Sequence, residues 1–173
     1  MRDAAFIAIG VLLVLIQGNL YRFMAPLDLH GATPSIVLPL VIYLGVHEHS
    51  TARGALLSFV LGHLVDLFAG APIGLFTFIY VVLWGLARIA GIRLASQARF
   101  GTMLMVSAFT LVEGFFVLIL LTIFGADPQR PVEISSVIIP HSVSTGLISP
   151  LVFRLAQRLQ QGANAPRAPE GGA

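Results

Sequence analysis

"GHLVDLFAGAPIG", residues 62–74, sets an aspartate and a histidine inside one of the most apolar parts of the chain. Whether this run lies in a membrane decides the fold. The 173 residues are 57% hydrophobic and only 10% charged. A soluble domain averages about 25% charged residues, so this chain cannot cover its own surface with polar groups. The apolar residues fall into blocks of the length that crosses a bilayer, about 20 residues. The composition therefore predicts an all-α, polytopic integral membrane protein. An aspartate in such a setting must offset a cost of roughly 2.5–3.5 kcal/mol.

Working outward from residues 62–74, the hydropathy pattern predicts six spans at about 4–20, 35–46, 54–68, 74–94, 100–124 and 134–155. They form one compact transmembrane domain over residues 1–161. Gln17, Gly18 and Asn19 make a poor signal-peptidase site, so the first span is expected to remain uncleaved. The second span is short and holds Pro39, which leaves open whether it is a continuous or a broken helix. The sixth holds Pro140 and Pro150. Residues 162–173, "GANAPRAPEGGA", read as a disordered cytoplasmic tail.

The arginines set the orientation. With six spans, Arg2, Arg53, Arg88, Arg93, Arg99, Arg154, Arg158 and Arg167 fall on one side, and Arg22 and Arg130 on the other. Eight against two places both termini in the cytoplasm by the positive-inside rule. Trp84 and Arg88, one turn apart, read as an aromatic and basic anchor at the cytoplasmic interface. There is no cysteine, which excludes disulfides, thiolate metal sites and cysteine nucleophiles. The dispersed net charge of +2 gives no reason to expect nucleic-acid binding.

Gly54, Ser58, Gly62, Asp66 and Gly70 recur every fourth residue. Small residues at that interval form a flat stripe through which helices pack closely in lipid. Asp66 shares the stripe and so is expected to face protein. Gly70 suits the end of one helix and Pro72 the first turn of the next. The short connection predicts a tight antiparallel hairpin, in which the start of the fourth helix offers unpaired N–H groups to Asp66. Asp66, His63, Glu113 and His141 are the candidates for buried polar clamps, with an ion, proton or substrate site as the alternative use of the same groups. Ser142, Thr145 and Ser149 follow helical spacing and form a polar face expected to lie inside the bundle or against a partner. His47 and His49, in "HEHS", read as part of a solvated loop and not as a metal site. No catalytic, cofactor-binding or metal motif is present, so neither an enzyme nor a cofactor is expected.

Pro34, Gly54-Ala55, Phe59, Gly62 and Asp66, followed by Gly70 and Gly74, resemble the signature of the MreD family of bacterial rod shape-determining membrane proteins. Ser35, Ser58 and His63 depart from the common pattern, where an acidic or amide residue, a glycine and an aliphatic residue are usual. The resemblance implies a non-enzymatic scaffold of the cell-elongation machinery in the inner membrane. It implies MreC as a partner, with links to the peptidoglycan synthases RodA and PBP2 and to MreB, lipid all round and no small-molecule substrate. It also implies a fold similar to the six-helix substrate-binding subunit of energy-coupling-factor transporters. Such a subunit is the alternative function, and Ala4 and Ala8 have the spacing that such subunits use for docking.

Overall fold

A computed structural model of the chain describes residues 2–24, 33–48, 50–69, 72–91, 99–124 and 130–164. The expected loop at 25–32, together with His49, Gly70 and residues 165–173, lies outside them. Among the described residues six helices are present: α1 (Arg2–Met24), α2 (Val37–His47), α3 (Thr51–Ala69), α4 (Leu75–Gly91), α5 (Arg99–Phe124) and α6 (Arg130–Asn164). Helix is the only outcome available to these blocks in lipid, where every backbone polar group must be satisfied within the protein. Among the described residues three stretches, Thr51–Phe68, Phe100–Phe124 and Ser136–Gln161, are long and apolar enough to cross a membrane.

The helices have a simple arrangement. α1, α3, α4, α5 and α6 form a closed ring in that order, each touching the next and α6 returning to α1. α2 stands inside the ring and touches all five. This explains its sequence. A helix surrounded on every side has no polar face, and Val37 through Gly45 are all buried. Gly45 lets α4 approach α2, because a Cβ there would lie 2.8 Å from the Trp84 carbonyl oxygen. Large side chains of the ring face outward, including Leu12, Phe59, Phe78, Phe115, Ile139 and Leu151. That apolar outer wall is suited to lipid and poorly suited to water.

α2 is continuous, and Pro39 does not break it. The proline sits in the first turn, where its missing N–H would have had no helical partner anyway. Eleven residues rise only about 16 Å, far short of the roughly 30 Å of a bilayer core. The first turn of α2 therefore needs partners from the protein. Gln17 of α1 supplies them: its Oε1 accepts from the N–H groups of Ile36 at 2.9 Å and Val37 at 3.4 Å. The Ser35 N–H donates to Thr145 Oγ1 of α6 at 2.9 Å, and Ser35 Oγ accepts from the Leu38 N–H at 3.4 Å. At the far end of α2, Arg88 of α4 donates to the Glu48 carbonyl at 2.7 Å. Ser50 then starts α3, its Oγ accepting from the Arg53 N–H at 3.4 Å.

These contacts fix the direction of the chain. The late part of α1 meets the start of α2, while Gln160, late in α6, accepts from the Tyr43 hydroxyl, late in α2. The start of α1 and the end of α6 thus lie at the same end of the bundle.

Several expectations are corrected. Pro72 is not in the first turn of α4: the helix begins at Leu75, and the Pro72 carbonyl accepts from the Leu75 N–H at 3.1 Å. Gly74, with φ +97°, makes a left-handed turn there that a residue with a Cβ would resist. Residues 162–164, expected in the tail, continue α6. His47 is not in a loop: it ends α2, with its ring stacked on Tyr43 at 4.3 Å and edge-on to Phe153. Trp84, expected as an anchor with Arg88, does not turn its ring outward. It is buried against Gly54, because the α3–α4 contact is close enough to enclose an indole, and Arg88 lies over its ring at 5.8 Å.

Replacing Gln17 by leucine strands the N–H groups of Ile36 and Val37, at about 1–3 kcal/mol for each unsatisfied donor. Gln17→Glu keeps an acceptor at the same place. Thermal unfolding in detergent should show a clearly lowered midpoint for Gln17→Leu and a smaller change for Gln17→Glu.

Candidate functional site: the polar cluster at the start of α2 and α4

The stripe on α3 is the face it turns to α4. Ser58 is fully buried, and its hydroxyl donates to the Gly54 carbonyl at 2.8 Å. A Cβ on Gly54 would meet the Trp84 ring at 2.6 Å. A Cβ on Gly62 would lie 2.6 Å from Thr77 Cα and 2.7 Å from the Phe76 carbonyl oxygen. Those are backbone atoms and cannot swing aside. Glycine at 62 is what allows the first turn of α4 to come within reach of Asp66, one turn further along.

Asp66 uses that approach fully. One oxygen, Oδ1, accepts from the Phe76 N–H at 2.7 Å. Oδ2 accepts from the N–H groups of Gly74 at 3.0 Å and Thr77 at 3.1 Å, and from the Thr77 hydroxyl at 2.5 Å. These are the orphan donors of a helix start. An N-cap serine or aspartate would ordinarily satisfy some of them from within the same helix. Here Gly74 has no side chain to offer, and the carboxylate of another helix does the capping. The negative charge also sits at the positive end of the α4 dipole. Asp66, only 3% exposed, therefore joins α3 to α4 by four hydrogen bonds.

The other candidates are placed differently. His63 is exposed and stacks on Phe59 with ring centroids 6.5 Å apart. It does not share the buried face of Asp66, because α4 covers the face of Gly62 and Asp66 only, and a residue one position on from Gly62 turns away from it. His141 Nδ1 lies against the Thr33 carbonyl. Glu113 is buried beside Tyr80, and its Oε2 has no hydrogen-bond partner among the described residues. Glu113 and His141 line one cavity of about 270 Å³, together with Gln17, Ser35 and Tyr80.

The three hydroxyls of α6 are buried, and they differ in what they do. Ser142 donates to the Ile139 carbonyl at 2.8 Å, within its own helix. Ser149 donates to the Gly146 carbonyl at 2.7 Å. That carbonyl is the one Pro150 deprives of its helical donor, so Ser149 compensates for the proline. Thr145 alone of the three bonds outside its own helix, to the segment that leads into α2. It donates to the His141 carbonyl at 2.7 Å and accepts from the Ser35 N–H.

Gln17, Ser35, Thr77 and Tyr80 belong to this cluster, although no motif marked them. The available signal was isolation: Gln17 is one of few polar residues in the first apolar block. Among the described residues no three histidine, cysteine or acidic side chains come together as a metal site would require.

The ring of helices, its apolar wall and this inward-turned polar cluster define a small helical membrane protein whose intramembrane polar groups hold its own helices together. The chain matches the family described as rod shape-determining protein MreD over residues 1–159. It belongs to that family of bacterial membrane proteins. No curated protein and no solved structure matches the chain.

Asp66→Asn keeps one acceptor oxygen and the volume, whereas Asp66→Leu strands four donors. Detergent melting should give a graded series, mild for asparagine and severe for leucine, at about 1–3 kcal/mol per unsatisfied group. Two variants that are equally inactive but fully stable would show that the carboxylate serves something other than packing. In α6, Thr145→Val should destabilise more than Ser142→Ala, because only the first removes an acceptor that a group outside the helix uses.

Proposed function

We propose that this chain is a non-enzymatic scaffold of the rod-shape machinery, crossing the inner membrane six times with both ends in the cytoplasm. On this reading it binds MreC and links it to RodA, PBP2 and MreB. The observation that carries the proposal is the use made of the intramembrane polar residues. Asp66, Gln17, Ser35, Thr145 and His141 bond to backbone groups of this same chain. Such bonds rigidify a bundle and leave its outer wall as the surface available to other membrane proteins. Family membership supports the cellular role. Alternating helix directions and the eight-to-two division of arginines support the topology.

Reporter fusions at Ser96 and Gly162 should report cytoplasm, and fusions at Ala71 and Gln129 the outer side. An outer signal at Gly162 would mean an odd number of spans. Detergent co-purification should recover MreC with the tagged chain and should not recover a transporter energising module. Recovery of the energising module instead would favour the substrate-binding subunit of an energy-coupling-factor-type transporter.

A further inference from the structure

The cavity beside Glu113 adjoins a second space of about 370 Å³, and the two share Gln17, Val65 and His141. Together they have the size of a small-molecule site. Most of the wall is apolar, from residues such as Val65, Phe76 and Val117. Into it comes Glu113, 4% exposed, with Oε2 unpartnered among the described residues. A buried carboxyl oxygen without a donor is costly, and most such groups in native structures have a partner.

Several polar groups around it are already committed. Gln17 Oε1 serves the first turn of α2, and the Ser35 N–H serves Thr145. His141 Nδ1 faces the Thr33 carbonyl, which can only accept. That nitrogen therefore carries the hydrogen, and in the neutral ring Nε2 is left as an acceptor. Among the described residues no lysine or arginine lines either space. An apolar wall that holds an unpartnered carboxyl oxygen and, among the described residues, no basic side chain disfavours an anion and suits a cationic donor.

We propose that this cavity binds an ammonium-bearing amphiphile, whose nitrogen donates to Glu113 Oε2 and whose short apolar part lies along Val65, Phe76 and Val117. Other N–H bonds of the ammonium are available to His141 and Tyr80. A free primary amine and the terminal amine of an ethanolamine lipid headgroup share the ammonium; the headgroup's phosphate, an anion, must then lie outside the cavity.

The test uses the full chain purified in detergent, with butylammonium as the probe and butyrate as its anionic counterpart. Butylammonium should raise the melting midpoint saturably, by a few degrees, and butyrate should not. Glu113→Gln, nearly isosteric, should weaken the apparent affinity for butylammonium by roughly tenfold or more, as expected for loss of a charge-assisted bond. Val117→Phe fills the cavity and keeps the carboxylate, and it too should abolish the response. Should Glu113→Gln fail to fold, Val117→Phe carries the comparison alone. In bicelles, native mass spectrometry should then separate the sources. Phosphatidylethanolamine retained by the wild type and lost from the variants identifies the lipid headgroup. Equal lipid retention with a Glu113-dependent butylammonium response identifies a free amine. Equal stabilisation of wild type and Val117→Phe by butylammonium, or a butyrate effect as large, would overturn the proposal.

Discussion

A helix too short to cross a bilayer by itself, held at the centre of a protein that lies in one, has to find partners for its ends inside the protein. That constraint organises the bundle. Eleven residues of α2 are enclosed by five other helices, so its sides need only apolar packing. Its first turn is another matter, since lipid offers no hydrogen bonds. Gln17 from α1 and Thr145 from α6 meet that need, and Arg88 from α4 secures the other end. Three of the five surrounding helices are thus tied to the backbone at the ends of the one they surround.

The start of α4 poses the same problem and receives a different solution. Its donors are answered by a carboxylate on α3, brought close by Gly62. Both cases turn what would be a liability, an unpaired helix start, into a joint between helices. Because there is no hydrophobic force between helices in lipid, such joints and the close approach at glycines carry much of the specificity that a water-soluble core takes from burial. A charge is tolerated at Asp66 because four donors converge on it.

What was legible in the sequence follows from this physics. Apolar blocks can only be helices in lipid, so the all-helical character is visible from composition. The four-residue interval of Gly54, Ser58, Gly62 and Asp66 marks one helix face without any structure. The link from Asp66 to Gly74 and Thr77 is local, spanning 8 and 11 residues, and hence open to reasoning about a turn. The centrality of α2 was not legible, because a short apolar run looks alike whether enclosed or merely short. Nor was the pairing of Ser35 with Thr145, 110 residues apart. His63 shows the limit of spacing arguments: an interval of three from Asp66 permits a shared face, but only the neighbour's position decides which faces are covered. Cavities depend on all the walls at once and leave no trace in any single segment.

The Ser35–Thr145 bond has a consequence for how the chain is made. Protein leaves the ribosome from its N-terminal end, so Gln17 exists before α2 and can engage it at once. Asp66 waits only a few residues for α4. Thr145, by contrast, lies 110 residues beyond Ser35 and emerges only after α2 to α5 have been made. Until then the central helix stands in an open ring with one backbone donor unanswered. α6 is thus the helix that both closes the ring and supplies that bond.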